Sequence, residues 1–224
     1  MSIGPKQALL AEFAAVARAL GSPKRLEMLE HLAQGERGVE ALAKRISLSI
    51  ANVSQHLQQL KRAGLVASRR DGKFVLYRLT DERVVMLMRA LFDVGERNLA
   101  EVDRILRSHF AERDSLEPVT REELLERTRG GLVTVLDVRP ADEFAAAHLP
   151  GAVNIPLVEL EARLSELDPR QEIVAYCRGP YCVLSFEAVA ALRARGFKVR
   201  RLQDGLPEWR AAGLPMEQGA ASGA

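Results

Sequence analysis

The feature that most constrains this chain is a succession of short apolar runs and helices in its second half. Glu172 to Tyr176 reads as a buried strand, Gly179 and Pro180 form a turn, and Val183 to Arg195 has helical spacing. The same alternation surrounds it. Thr120 to Glu123 fits a capping box opening a helix that ends at Gly130-Gly131. Val133 to Val138 is a β-branched run, Asp142 to Ala147 a short helix, Ala152 to Ile155 a short strand, Leu157 to Leu167 helical and Lys198 to Leu202 a strand. Strands alternating with helices predict a mostly parallel sheet covered on both faces. Such sheets place ligands at the C-terminal ends of their strands.

Both cysteines of the chain, Cys177 and Cys182, fall in the loop at one such end. A thiol there faces the free N–H groups and partial positive charge of the next helix. Arg178 adds a full charge beside it, and both effects favour thiolate. The amides of Gly179, Tyr181 and Val183 can form an anion cradle, with Arg178 drawing an anionic donor. Pro180 removes one N–H from that cradle, and Tyr181 narrows access. The alternative is two small buried hydrophobes.

The first half is helical up to a hairpin. Leu9, Phe13, Val16, Ala17 and Leu20 mark a first helix ended by Gly21. Ser22-Pro23 starts a second as N-cap and first helical residue, and Gly35 stops it. A third spans Val39 to Ile46. Ser47-Leu48-Ser49 turns the chain, and Ser49 caps a fourth helix from Ile50 to Arg62. Its Ile50, Val53, Leu57 and Leu60 form one buried stripe. The other face offers Asn52, Gln55, His56 and Gln59, donors and acceptors suited to base edges. Lys61 and Arg62 suit phosphates. Leu65 to Arg70 and Phe74 to Leu79 are strand runs joined at Asp71-Gly72, a hairpin signal, with Arg69, Arg70 and Lys73 at the tip. The pattern describes a winged helix-turn-helix whose fourth helix enters the major groove while the hairpin touches the backbone.

Ser54-Gln55-His56-Leu57-Gln58-Gln59-Leu60-Lys61-Arg62-Ala63-Gly64-Leu65-Val66, with the Arg-Arg-Asp-Gly-Lys hairpin, resembles the ArsR-type family of bacterial regulators over about residues 8–108. The resemblance implies a dimeric protein that binds a double-stranded DNA operator and usually represses its target genes. The DNA-contacting set is then Ser49, Asn52, Ser54, Gln55, His56, Gln59, Lys61, Arg69, Arg70 and Lys73. Thr80 caps a long helix, from about Asp81 to Phe110, whose near-continuous apolar face a second copy can cover. Packing on the second domain is the alternative. Many relatives sense metals through Cys or His pairs, but the third helix here holds none. His31, His56, His109 and His148 have no metal-ligand spacing, so no metal and no cofactor are expected.

In the second half, Leu136-Asp137-Val138-Arg139-Pro140, Glu143-Phe144, His148-Leu149-Pro150-Gly151-Ala152, Asn154-Ile155-Pro156 and Asp204-Gly205-Leu206-Pro207-Glu208-Trp209 resemble the rhodanese family over about residues 117–214. The resemblance implies a sulfurtransferase-like activity in which Cys177 takes sulfane sulfur from a small donor and passes it, as a persulfide, to a thiol acceptor. Asp137 then supports the loop backbone, and Arg139, Glu143 and His148 are structural. Cys182 either resolves the persulfide into a disulfide, releasing sulfide, or is buried and inert.

The expected architecture is multidomain. A mainly α winged helix-turn-helix domain (1–110), a linker (111–116) and an α/β rhodanese-like domain with a mostly parallel sheet (117–214) precede a disordered tail (215–224). Charge follows the division: residues 1–110 hold 18 Lys and Arg against 12 Asp and Glu, and residues 111–224 hold 14 against 18. A basic first half suits an anionic partner. No apolar run approaches the ~20 residues needed to span a bilayer, and Met1 to Ala11 lacks signal-peptide character. A cytoplasmic regulator without membrane contact is expected. Three readings of function follow: a repressor that senses sulfane sulfur at Cys177, a working sulfurtransferase whose DNA-binding half controls its own operon, or a regulator with an inactive rhodanese scaffold.

Overall fold

The computed structural model describes residues 4–108 and 118–219. Internal packing divides the chain into two units, Met1–Met88 and Arg89–Ala224. The first opens with α1 (Pro5–Leu20) and α2 (Pro23–Ala33), each with proline at its start, where the missing N–H costs nothing. Then come β1 (Arg37–Gly38), α3 (Val39–Ile46), α4 (Ile50–Arg62), β2 (Val66–Asp71) and β3 (Phe74–Leu79). β3 lies between β1 and β2 and is antiparallel to both. Ser47 reverses the chain between α3 and α4 with a left-handed φ of 53°, and the Ser49 hydroxyl accepts the Asn52 N–H at 3.3 Å. Met28, Leu29, Leu42, Ile46, Val53, Leu57 and Leu60 are buried. They give α2, α3 and α4 a shared apolar core, and the result is a winged helix-turn-helix.

Several local expectations change. Ser22 makes no side-chain cap; its carbonyl accepts the Leu26 N–H instead. Ile50, expected in the buried stripe, is the first residue of α4 and is 55% exposed. Asp71 pairs with Phe74, so the hairpin loop is Gly72-Lys73, with φ of 58° at Gly72. The long helix is interrupted. α5 (Arg83–Asn98) and α6 (Ala100–Leu106) are separated by Leu99 in extended conformation. Thr80 does not cap α5. Its hydroxyl donates to the Gly64 and Leu65 carbonyls, while the Asp81 carboxylate accepts the Arg83 N–H. The expected end of that helix at Phe110 and the linker 111–116 lie outside the described residues.

The second unit continues from α5 and α6 into α7 (Arg121–Arg129), β4 (Val133–Asp137), α8 (Ala141–Ala146), β5 (Val153–Asn154), a 3-10 segment (Leu157–Glu166), β6 (Glu172–Tyr176), α9 (Val183–Ala194), β7 (Val199–Arg201) and α10 (Leu206–Ala211). The strands run parallel in the order β5-β4-β6-β7. Side chains alternate faces along β6, as a strand requires. Ile173, Ala175 and Cys177 pack with Ala188, Val189 and Leu192 of α9. Val174 and Tyr176 pack on the other face with Leu124, Leu206 and Trp209. The segment 157–167, expected helical, is 3-10 and kinked at Arg163.

The tail expected from residue 215 is ordered as far as the described residues reach. Glu217 exchanges two 2.9 Å backbone hydrogen bonds with His148, and Gly219 donates to Ala145. Pro215 accepts the Trp209 indole N–H at 2.9 Å.

Candidate functional site

Each unit carries a candidate site. In the first, Asn52 and Gln55 of α4 are exposed. Ser54, His56 and Gln59 are half-buried, and the His56 Nδ1 is closed off from solvent without a partner. Gln59 accepts a 2.6 Å hydrogen bond from Arg25. Arg25 also donates to the carbonyls of Arg18 at 2.8 Å and Ala19 at 2.5 Å. One guanidinium thus ties the end of α1 to the polar face of α4. Lys61 donates to Ser68 at 2.7 Å, and the Lys73 ammonium lies 5.3 Å from the centre of the Phe74 ring. Ser49 is committed to its cap.

The wing cations are not equivalent. Arg69 donates to Glu36 at 2.7 Å, and Arg78 lies 3.6 Å from the same carboxylate. That carboxylate pushes the Arg69 ionisation upward, first through the hydrogen bond. Arg70 is exposed and has no ionic partner among the described residues. Arg25 and Glu36 carry no motif signal; only their charge, on elements adjoining the polar helix and the wing, could have pointed to them.

In the second unit, the loop after β6 holds both cysteines. Cys177 is 1% exposed, Cys182 is half-buried, and their sulfurs form a disulfide with Cα atoms 6.2 Å apart. Cys182 is the N-cap residue of α9. Its carbonyl accepts from the Ser185 hydroxyl and amide, and its N–H donates to Gly179 O at 3.2 Å. The amides of Gly179, Tyr181 and Val183 make no hydrogen bond among the described residues, which leaves them as donors in the loop.

Two sequence expectations for this loop differ from the geometry. Arg178 was expected to draw an anionic donor. Its Nε and Nη2 instead donate to the two oxygens of buried Glu143, both at 2.9 Å. Asp137 was expected to hold the loop backbone. Its carboxylate instead accepts the Arg139 N–H at 2.9 Å and the Arg139 guanidinium, with both residues fully buried. Arg139 reaches on to Ala147 O, and Asn154 donates to the Asp137 and Arg139 carbonyls. Burial, then the Asp137 charge, pushes the Tyr176 hydroxyl well above its ordinary ionisation range. The network fixes the strand end before Cys177 and leaves the loop itself to other groups.

Those groups are Glu143, through Arg178, together with Arg201 and Gly205. Arg201 donates to Pro180 O at 3.2 Å and lies 4.3 Å above the Phe186 ring. A Cβ built on Gly205 would stand 2.3 Å from Gly179 N and 2.4 Å from the Arg178 carbonyl carbon. Nearby, burial raises the Glu208 ionisation above its ordinary value, while its carboxylate accepts the Gly205 N–H at 3.0 Å. Arg201 sits inside an expected strand, where a charge with no obvious solvent face was the available hint.

Comparison with known proteins agrees with both halves. A model of the bacterial regulatory protein arsR family matches residues 22–68, and a rhodanese-like domain model matches residues 120–212. The HTH-type transcriptional regulator Rv0324 of Mycobacterium tuberculosis is 45% identical over 218 residues, 97% of this chain and 96% of its own. A sulfurtransferase of Allochromatium vinosum is 32% identical over 38% of this chain and 78% of its own. The solution structure of a homodimeric winged helix-turn-helix DNA-binding domain from Mycobacterium bovis is 39% identical, covers 44% of this chain and 92% of that one, and has a TM-score of 0.41. The chain belongs to the ArsR family of bacterial regulatory proteins and carries a C-terminal rhodanese-like domain. Among the described residues, no helix is long and apolar enough to cross a membrane.

Proposed function

We propose that the protein is a dimeric, operator-binding repressor of the cytoplasm whose rhodanese-like domain senses sulfane sulfur at Cys177. The carrying observation is the Cys177–Cys182 disulfide inside the loop at the end of the central strand β6. In the reduced protein, the Cys177 thiolate attacks the sulfane sulfur of thiosulfate or a polysulfide. An S–S bond forms at Cys177, and sulfite or the shortened polysulfide leaves with the electron pair of the broken bond. The Cys182 thiolate then attacks the Cys177 sulfur, the disulfide closes, and hydrosulfide departs. Two thiols are oxidised as one sulfane sulfur is reduced to sulfide. A small thiol reopens the ring by exchange. Arg178 is neutralised by Glu143, so thiolate stabilisation rests on the amides of Gly179, Tyr181 and Val183.

DNA recognition belongs to α4 and the wing. In this reading the exposed Asn52 and Gln55 read base edges, and the exposed Arg70 holds phosphate. Dimerisation rests on the exposed apolar faces of α1 (Leu9, Leu10, Phe13) and α5 (Leu87, Leu91, Val94), and the homodimeric relative supports it.

The test is operator affinity before and after polysulfide, in wild type, Cys177→Ser and Cys182→Ser. Wild type should lose at least tenfold affinity on exposure, and Cys177→Ser none. Equal affinities throughout would remove the sensing role. The likeness to a sulfurtransferase favours a second reading, a working enzyme. It predicts thiosulfate-to-thiol turnover that ignores DNA and survives Cys182→Ser.

A further inference from the structure

Tyr181 lies inside the ring that the disulfide closes, one residue before Cys182, and its side chain does not serve the sulfur. Its ring meets Phe92 of α5 edge-on, with centroids 5.6 Å apart and planes at 78°. Its hydroxyl is closed off from solvent, with the Glu96 carboxylate as its polar neighbour. Burial first, then the neighbouring Glu96 carboxylate, raises its ionisation, with Arg89 and Asp93 also close. Arg89 and Asp93 are themselves paired at 2.9 Å. Arg89, Phe92, Asp93 and Glu96 are spaced i, i+3, i+4 and i+7, so a single face of α5 receives Tyr181.

The exposed residues of the same helix, Leu87, Leu91 and Val94, are also spaced i, i+4 and i+7. At 100° per residue, the two faces point about 180° apart. One side of α5 therefore carries the dithiol loop's tyrosine, and the other carries the apolar stripe assigned above to the second copy of the chain. A buried hydroxyl whose one polar neighbour is the Glu96 carboxylate is held by that contact and by the Phe92 ring.

We propose that Tyr181 couples the thiol chemistry to the dimer helix. Closing the Cys177–Cys182 ring seats the tyrosine against the Arg89–Glu96 face. Opening the ring releases it, and α5 with its apolar stripe shifts in response. The inference rests on the sensing role proposed above and names the residue that transmits it. Coupling is reciprocal, so weakening the α5 side must change how readily the ring opens, with no DNA present.

The experiment follows from that reciprocity. The full-length protein is equilibrated with reduced and oxidised glutathione. One disulfide and two glutathione molecules exchange for one dithiol and one glutathione disulfide, and alkylation with mass spectrometry reads the ratio. Phe92→Leu and Phe92→Ala should each shift that equilibrium toward dithiol, by about three- to tenfold for the alanine variant. Fluorescence of Trp209, the single tryptophan, reports whether the domain remains folded, and the leucine variant serves if the alanine one does not. In the same variants the ratio of operator affinities between oxidised and reduced protein should fall toward one. An unchanged glutathione equilibrium in folded variants overturns the coupling even if wild type responds to polysulfide. A shifted equilibrium in a protein whose wild type binds DNA equally in both states overturns the sensing role while upholding the contact between the ring and α5.

Discussion

Gly205 shows how one residue can govern a site it does not belong to chemically. Its φ of −106° is open to any residue, so conformational freedom is not why glycine stands there. The reason is space: the backbone at Arg178 and Gly179 passes where a Cβ would be. Neither obstructing group is the free end of a side chain, so the loop itself would have to move. Gly205→Ala is expected to cost at least 1–3 kcal/mol, about the usual range for overpacking, and to speed alkylation of the reduced cysteines by displacing the Arg178–Gly179 backbone. Urea unfolding and thiol-modification rates measure both; a variant matching wild type in each would mean this close approach is not maintained in solution. Arg178 makes a related point. Its pairing with Glu143, 35 residues away, is invisible to a local reading, which sees only a cation next to a cysteine. Breaking a buried pair of this kind leaves an uncompensated charge, and that fixes Arg178 as a strut of the loop.

Among the elements, those defined by local signals could be read from the chain alone. α3 and α4 are bounded by a turn with Ser49 as cap and by the change to strand content at Gly64-Leu65, and both begin and end where that pattern places them. The parallel sheet followed from strand–helix alternation. The interruption at Leu99 did not, because an apolar residue in extended conformation leaves the hydrophobic spacing unbroken. The Asn98 side chain bonds back to the Val94 carbonyl at 2.8 Å, a local alternative to continued helix. The ordered tail was hidden for the opposite reason. Small residues there suggested no structure, yet Glu217 pairs with His148 through two backbone hydrogen bonds, and its carboxylate accepts the Gly151 N–H at 3.1 Å. At this scale α5 carries the next expectation. Leu91→Glu puts a charge on the exposed stripe without touching the Phe92 side. It should convert a dimer to monomer at micromolar concentration, raising the dissociation constant at least a hundredfold. Sedimentation equilibrium distinguishes the two, and an unchanged dimer would place the interface elsewhere.

Taken whole, the molecule separates its charge, with a basic regulator half and an acidic rhodanese half. A cationic first half attracts a polyanion, but how much of that charge DNA can use depends on local pairing. Glu36 already neutralises Arg69 and lies beside Arg78, whereas Arg70 is exposed. Removing Arg70 should weaken all duplexes alike and flatten the salt dependence by about one unit of slope. Glu36→Gln should tighten all duplexes and steepen that slope by a similar amount, as filter-binding titrations across a salt series would read. A slope indifferent to Glu36 would mean Arg69 never meets a phosphate. The wing thus travels with a tethered counter-ion of its own. When Arg69 docks on a phosphate, it exchanges one anion for another, and only the duplex side sheds mobile cations in return. Part of the attraction is spent in advance on a carboxylate that cannot diffuse away, and in the proposed reading discrimination then falls to Asn52 and Gln55.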